Sequence, residues 1–383
     1  MGQRAIAAVY MRGGTSKGVF FLKDDLPEDA AARDRVLLRV IGSPDAYGKH
    51  IDGMGGATSS TSKVVLVARS NRPGCDVDFL FGAVAIDKPV IDWSGNCGNL
   101  TAAVGPFAIQ QGLVQAAGDG TCAVRIWQEN IGKRIVTHVP LAAGDVVEDG
   151  TFDVDGVAFA AAEIRIEFLD PGGGNDGSVL PAGRPSQTLA LPGEAPLEAT
   201  LIDAGNPLVI VDARTLGLTG VEMQADVNGN AVLLARCERI RAHAAVLMGL
   251  AASADAATRD RPATPMLAFV ASPRSYRAAN GRGIDAAQID VVARMLSMGR
   301  MHHALPGTGA VALAVACAVR GTVAHAAAPT AGRSGDIRIG HPSGVLALSA
   351  HVREKAGHWS VDKVVVSRTA RRLMAGHVFV PAT

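Results

Sequence analysis

Long apolar runs are missing from this sequence. No stretch approaches the roughly 18 residues of a bilayer-spanning helix, so a membrane protein built on helices is not expected. Charge of one sign is missing too. The 37 Lys and Arg balance 36 Asp and Glu to a net +1, with no like-charged run, which argues against a nucleic-acid partner and against a charged tail. Aromatic residues reach only 4%, too few for a large aromatic binding surface. The five cysteines (Cys75, Cys97, Cys122, Cys237, Cys317) include no C-x-x-C pair and no ligand-like spacing, so neither a disulfide framework nor a thiolate metal site is indicated. No G-x-G-x-x-G opens a strand–helix unit, which leaves a hydride-transferring dehydrogenase without support. The N-terminus enters strand-like "AIAAVYM" almost at once, leaving no signal peptide to expect, and "MGQRAI" lacks the Ser/Thr of a myristoylation signal. A reduced, cytoplasmic enzyme is the expectation.

What is present is core material: 48% of 383 residues are hydrophobic, enough for about two domains. The most linker-like segment is "DPGGGNDGSVLPAGRPS", residues 170–186, rich in Gly and Pro. It places an N-terminal half at 1–186 and a C-terminal half at 187–375, with the tail 376–383 rejoining the first. Short β-branched runs fill both halves, at 64–67, 77–81, 124–127 and 164–168, then at 201–202, 208–211, 267–270 and 364–366. Each half also holds one helix that is apolar nearly all round. "LTAAVGPFAIQQG" follows "DWSGNCGN", and "AVALAVACAV" follows "HHALPGTG". A helix without a polar stripe must be enclosed in a soluble protein, most simply by a sheet wrapped around it. Both begin at Gly-rich turns, so unpaired amides (near Asn96, Gly98 and Asn99, and near Gly307, Thr308 and Gly309) and positive dipole ends suit a ligand with several carboxylates.

"YMRGGTSKGVFF", residues 10–21, adds to this. A Walker-type loop needs Gly-Lys-Ser/Thr, whereas here the order is Thr15-Ser16-Lys17-Gly18, followed by a strand. Arg12, Lys17, the hydroxyls of Thr15 and Ser16, and the amides of a Gly-Gly turn fit a carboxylate; a plain hairpin turn is the competing reading.

The segments "MRGGTSKGVFF", "IGSPDAYGKHIDGMGGATSSTSK", "IDWSGNCGNL", "IRAHAAVLMGL" and "IGHPSG" together resemble the methylaconitate isomerase family, within the diaminopimelate epimerase and proline racemase superfamily. The resemblance implies an α/β (α+β) fold of two similar halves. Each would be a curled sheet around a buried helix, with the active site in the cleft between them. It further implies a cofactor-free, metal-free isomerase of unsaturated tricarboxylates. The family includes 2-methylaconitate cis-trans isomerases of propionate breakdown and 4-oxalomesaconate tautomerases. The expected partner is that small acid; a homodimer is one possible assembly.

Racemases of this superfamily use two cysteines. Cys97 fills the first position, but Pro306 precedes Gly307-Thr308-Gly309 where the second would stand, and proline moves no proton. Cys317 falls inside the helix and reads as a small core residue. A different base is needed. The resemblance implies Lys63, at the end of "GGATSSTSK", which would take a proton from the carbon beside the double bond to give a dienolate. Burial or a neighbouring cation such as Arg12 or Lys17 would free its amine. Cys97 would donate, relay or line the site. Asn206, in "DAGNP", is open between a turn and a carboxylate contact, as are His341 and Ser343 in "GHPSG", which the resemblance places at the substrate. Asp52 reads as loop, with an orienting role as the alternative. His302-His303, read as helical neighbours, would point apart and share no metal; orienting the following turn suits them better.

Overall fold

The computed structural model describes residues 2–173, 177–328, 331–332, 335–355 and 357–382. Residues 174–176 of the Gly/Pro-rich segment lie outside this set. The chain forms two compact units, Met1–Ile166 with Ser367–Thr383, and Glu167–Val366. No helix among the described residues is long and apolar enough to cross a membrane.

In the first unit β1 (Gln3–Gly13) turns back as β2 (Ser16–Leu22), antiparallel, with Gly13 opposite Ser16 and Arg12 opposite Lys17. The motif is therefore a hairpin whose two-residue turn is Gly14-Thr15. Gly14 sits at φ +47°, in the left-handed region, and an added Cβ would come within 2.6 Å of Asn99 Oδ1 and 3.0 Å of Arg368 Cδ. Next to β2 runs β3 (Lys63–Arg69), parallel, then β4 (Val77–Val84), antiparallel. Parallel to β4 lies β5 (Gly120–Gln128), and β6 (Lys133–Ala142) closes the series antiparallel to it. The C-terminal strand Ala370–Pro381 pairs antiparallel along the whole length of β1.

Helix α1 (Gly98–Gln110) is buried from Gly98 through Ala108 and packs on β1, β2, β5, β6 and the C-terminal strand. Its small residues permit this. A Cβ on Gly13 would meet the Asn99 carbonyl oxygen at 2.5 Å, and one on Gly105 would meet Val139 Cγ2 at 2.7 Å. Phe107 fills the opposite side against Phe20, with ring centroids 5.5 Å apart.

The second unit repeats the same order of pairings. β7 (Leu197–Asp203) and β8 (Pro207–Asp212) form an antiparallel hairpin around Ala204-Gly205-Asn206. β9 (Met266–Ala271) is parallel to β8 and β10 (Val291–Ser297) antiparallel to β9. β11 (Ile337–His341) is parallel to β10, and β12 (Gly344–Lys355) returns antiparallel. Helix α2 (Gly307–Ala318) follows β10 in the chain, as α1 follows β4, and is buried from Gly307 through Cys317. It packs on β7, β8 and β12. The shared pairing order accounts for the internal likeness visible in the sequence as pattern rather than as letters.

Candidate active site

In the first unit the chemistry gathers where α1 begins. Cys97 is the N-cap residue; its extended backbone (φ −117°, ψ 93°) lets Sγ accept from Leu100 N, and its carbonyl accepts from the Thr101 amide and hydroxyl. Lys63 opens β3 beneath this turn. It is only 7% exposed, and Nζ donates to Ser16 Oγ at 3.0 Å and to Cys97 Sγ at 3.1 Å. One amine thus joins the hairpin, the third strand and the helix cap. Gly18 makes room for it: a Cβ there would lie 3.1 Å from Lys63 Cβ. Upstream, Ser62 Oγ and His50 Nδ1 lie 3.2 Å apart, both buried, which fixes the chain just before Lys63.

The RGGTSKG hairpin is tied down by a segment far away in sequence. Thr369 O accepts from Gly14 N at 2.8 Å and from Arg12 Nη1 at 2.9 Å, and Thr369 Oγ1 accepts from the same nitrogen at 2.9 Å. Arg12 therefore holds the turn through Nη1. Burial first, then Arg371, lower its pKa below the ordinary value, and Glu148 opposes them. Lys17 Nζ lies 5.4 Å from the Tyr10 ring centroid, within cation–π range. Asn99 donates from Nδ2 to Thr15 Oγ1 at 3.0 Å and accepts at Oδ1 from Arg368 Nε at 3.2 Å. Asn96 is buried in the turn before the helix. Asp52, by contrast, is an exposed partner of Arg39 at 2.5 Å.

In the second unit, Pro306 caps α2 and offers no side-chain bond. Asn206, from the β7–β8 hairpin, donates from Nδ2 to Thr308 Oγ1 at 2.9 Å, and both residues are buried. Gly309 is packed against Met295 Sδ, which would have to move aside for an added Cβ. His302 and His303 lie outside any helix, contrary to the helical reading of that pair. Their rings stack with centroids 4.7 Å apart. His302 Nδ1 accepts from Ala304 N at 3.0 Å, holding the chain that leads to Pro306. Ser343 Oγ donates to His303 O at 2.7 Å, and His341 Nδ1 accepts from Ser343 N at 3.2 Å, so the GHPSG turn is clasped to the His-His segment. Tyr276 supports the turn from behind, its hydroxyl 2.7 Å from the carbonyls of His341 and Gly344.

Sequence reasoning missed Arg368 and Thr369. They carry no motif, and their partners stand hundreds of positions away. Among the described residues no cluster of three or more His, Cys, Asp or Glu could hold a metal ion.

The chain is similar over nearly its whole length to several known proteins. A 2-methyl-aconitate isomerase of Shewanella oneidensis is 52% identical over 389 residues, covering 99% of this chain and 98% of the relative. One from Cupriavidus necator is 50% identical with the same coverage. A 4-oxalomesaconate tautomerase of Pseudomonas putida is 39% identical, covering 99% of this chain and 97% of the relative. Among solved structures, a methylitaconate-delta-isomerase aligns at TM-score 0.76 and 37% identity, covering 99% of this chain and 96% of that one. A probable proline racemase from Agrobacterium radiobacter aligns at TM-score 0.57 and 12% identity over 97% and 92%, a likeness of fold alone. The fold is therefore the mixed α/β fold these proteins share. The family model described as PrpF protein matches residues 3–381, and the chain belongs to the PrpF family.

Proposed function

We propose that the chain is a cofactor-independent isomerase that converts 2-methyl-trans-aconitate to 2-methyl-cis-aconitate. The observation that carries this reading is the buried Lys63 amine held 3.1 Å from Cys97 Sγ at the cap of α1. The choice of substrate is supported by the two relatives named as 2-methyl-aconitate isomerases, at 52% and 50% identity.

Rotation about a carbon–carbon double bond requires that its bond order fall. The lone pair of Lys63 Nζ takes a proton from the methylene that lies between the alkene and a carboxylate. The C–H electrons pass into the π system, giving a dienolate whose former double bond turns freely. After rotation, the lysine ammonium returns the proton to the same carbon and the double bond re-forms. Cys97 Sγ, sharing a hydrogen bond with Nζ, relays that proton or lines the site. The developing charge is met by the first amides of α1 (Gly98, Asn99) and by Ser16 and Lys17, while Thr15 binds a carboxylate that keeps its charge throughout. Asn206, Gly307, Thr308 and Gly309, with His341 and Ser343, are assigned to the remaining carboxylates.

The test is turnover in D₂O followed by ultraviolet absorbance and mass. Deuterium at the methylene of recovered acid, lost in Lys63→Ala, is the expected result. Isomerisation by wild type with no label, under conditions that exclude internal return, would overturn the base. The same assay run with 4-oxalomesaconate separates the alternative: faster turnover there moves the chain to the tautomerase reading, which its 39% identity to the Pseudomonas putida enzyme keeps in view.

A further inference from the structure

Arg368 is an odd residue to find inside a protein. It is 4% exposed, the last residue of the strand His358–Arg368, and among the described residues it faces no carboxylate. Nε donates to Asn99 Oδ1 at 3.2 Å and Nη1 to Ser367 O at 3.0 Å, while Nη2 has no hydrogen-bond partner among the described residues. Burial lowers its pKa to about 10, so it remains a cation at neutral pH. An isolated buried charge is unfavourable, and folds that keep one without a counter-ion commonly use it.

Its use follows from the direction of the bonds. Because the guanidinium can only donate, Asn99 must turn Oδ1 toward it. That fixes the amide, so Nδ2 donates to Thr15 Oγ1 at 3.0 Å. With an incoming donor on its oxygen, the half-buried Thr15 hydroxyl is left to donate its own proton away from Asn99. Gly14 seals the arrangement, since any Cβ there would strike Asn99 and Arg368. We propose that Arg368 is a positioning residue for substrate binding: acting through Asn99, it aims the Thr15 hydroxyl at a substrate carboxylate and contributes an uncompensated positive charge beneath it. The proposal rests on the isomerase reading above for the identity of the acid, though not for its being an anion.

The experiment compares wild type, Arg368→Met, Arg368→Lys and Thr15→Val. Binding of propane-1,2,3-tricarboxylate is measured by calorimetry, and kcat and KM by the absorbance assay. Arg368→Met is expected to weaken tricarboxylate binding and raise KM by at least about 10-fold, with kcat within about threefold and thermal stability equal to or above wild type. Arg368→Lys, which keeps charge but loses the planar fork, is expected to fall between. Thr15→Val, at a half-buried turn, tests the same chain of bonds if Arg368→Met does not fold, and is expected to raise KM with kcat kept. Wild-type affinity in Arg368→Met, or in Thr15→Val, would overturn the proposal, as would a loss confined to kcat. If wild type binds the tricarboxylate, and Arg368→Met does not, while neither turns over 2-methylaconitate, the inference stands and the substrate reading falls.

Discussion

The two units pass through the same series, antiparallel, parallel, antiparallel, parallel, antiparallel, and each sets a buried helix after its fourth strand. They part at two positions. The residue opening the third strand is Lys63 in the first unit and Met266 in the second; the helix cap is Cys97 in the first and Pro306 in the second. One unit has an amine and a thiol in hydrogen-bond contact, whereas the other has a thioether and a pyrrolidine ring. The rest of the frame is kept, even to the bond between hairpin and helix start, but its direction is reversed. Asn99 on the helix donates to Thr15 on the hairpin, whereas Asn206 on the hairpin donates to Thr308 on the helix. A shared scaffold thus carries an amine–thiol pair at the helix start in one half and a proline cap in the other, which fits the proposed proton transfer in the first half alone.

The comparison is broken most severely by giving the first unit the second unit's residue. Lys63→Met, like Lys63→Ala, is expected to lower kcat by about 10²–10⁴-fold while circular dichroism and melting stay near wild type. A variant that turns over normally would mean that the two third strands do not differ in function. Next in size are the packing glycines. Gly105→Ala pushes a methyl into the β-branched Thr137 and Val139, and is expected to cost about 1–3 kcal/mol in denaturant unfolding. Gly309→Ala meets Met295, whose flexible side chain can withdraw, so its loss is expected to be smaller. Equal losses would show that α2 is as rigidly seated as α1.

A milder effect is expected at the caps. Cys97→Ala keeps the amine and is expected to reduce kcat by about tenfold, less than loss of Lys63. A reduction as large as that for Lys63→Ala would make the thiol an equal partner. The smallest effect concerns the helix thiol that takes no part. Burial, with Asp290 adding to it, raises the pKa of Cys317 from the ordinary 9.0 to about 12. The folded state then holds a proton that the unfolded chain gives up above about pH 9. The stabilising contribution is complete below that pH and lost as the pH climbs toward 12. Cys317→Ala should flatten the fall in melting temperature over that range, and an unchanged slope would place the thiol in contact with water.

How much of this was legible before any coordinates depended on the range of each signal. Both central helices were visible because neither shows a polar face, and enclosure follows from that alone. The strands were visible as β-branched runs. Cys97 stood out between glycines at a helix start, and Lys63 only through family resemblance, since a lysine before a strand is ordinarily a surface charge. The His302-His303 pair was misread as helical, because the strand turn Arg300–Met301 is too short to register in a pattern. Arg368 and Thr369 were invisible: the bond from Arg368 to Asn99 spans 269 positions, and no local periodicity reports a contact of that kind.

The return of residues 367–383 to the first unit has a consequence for synthesis. During synthesis β1 and β2 are made well before Ala370–Pro381, so β1 waits for its second neighbour and the Gly14 amide for its acceptor Thr369 until the whole of the second unit has been made. Glu167–Val366 can settle early, while the unit carrying the amine and thiol is completed only by a strand that comes after it.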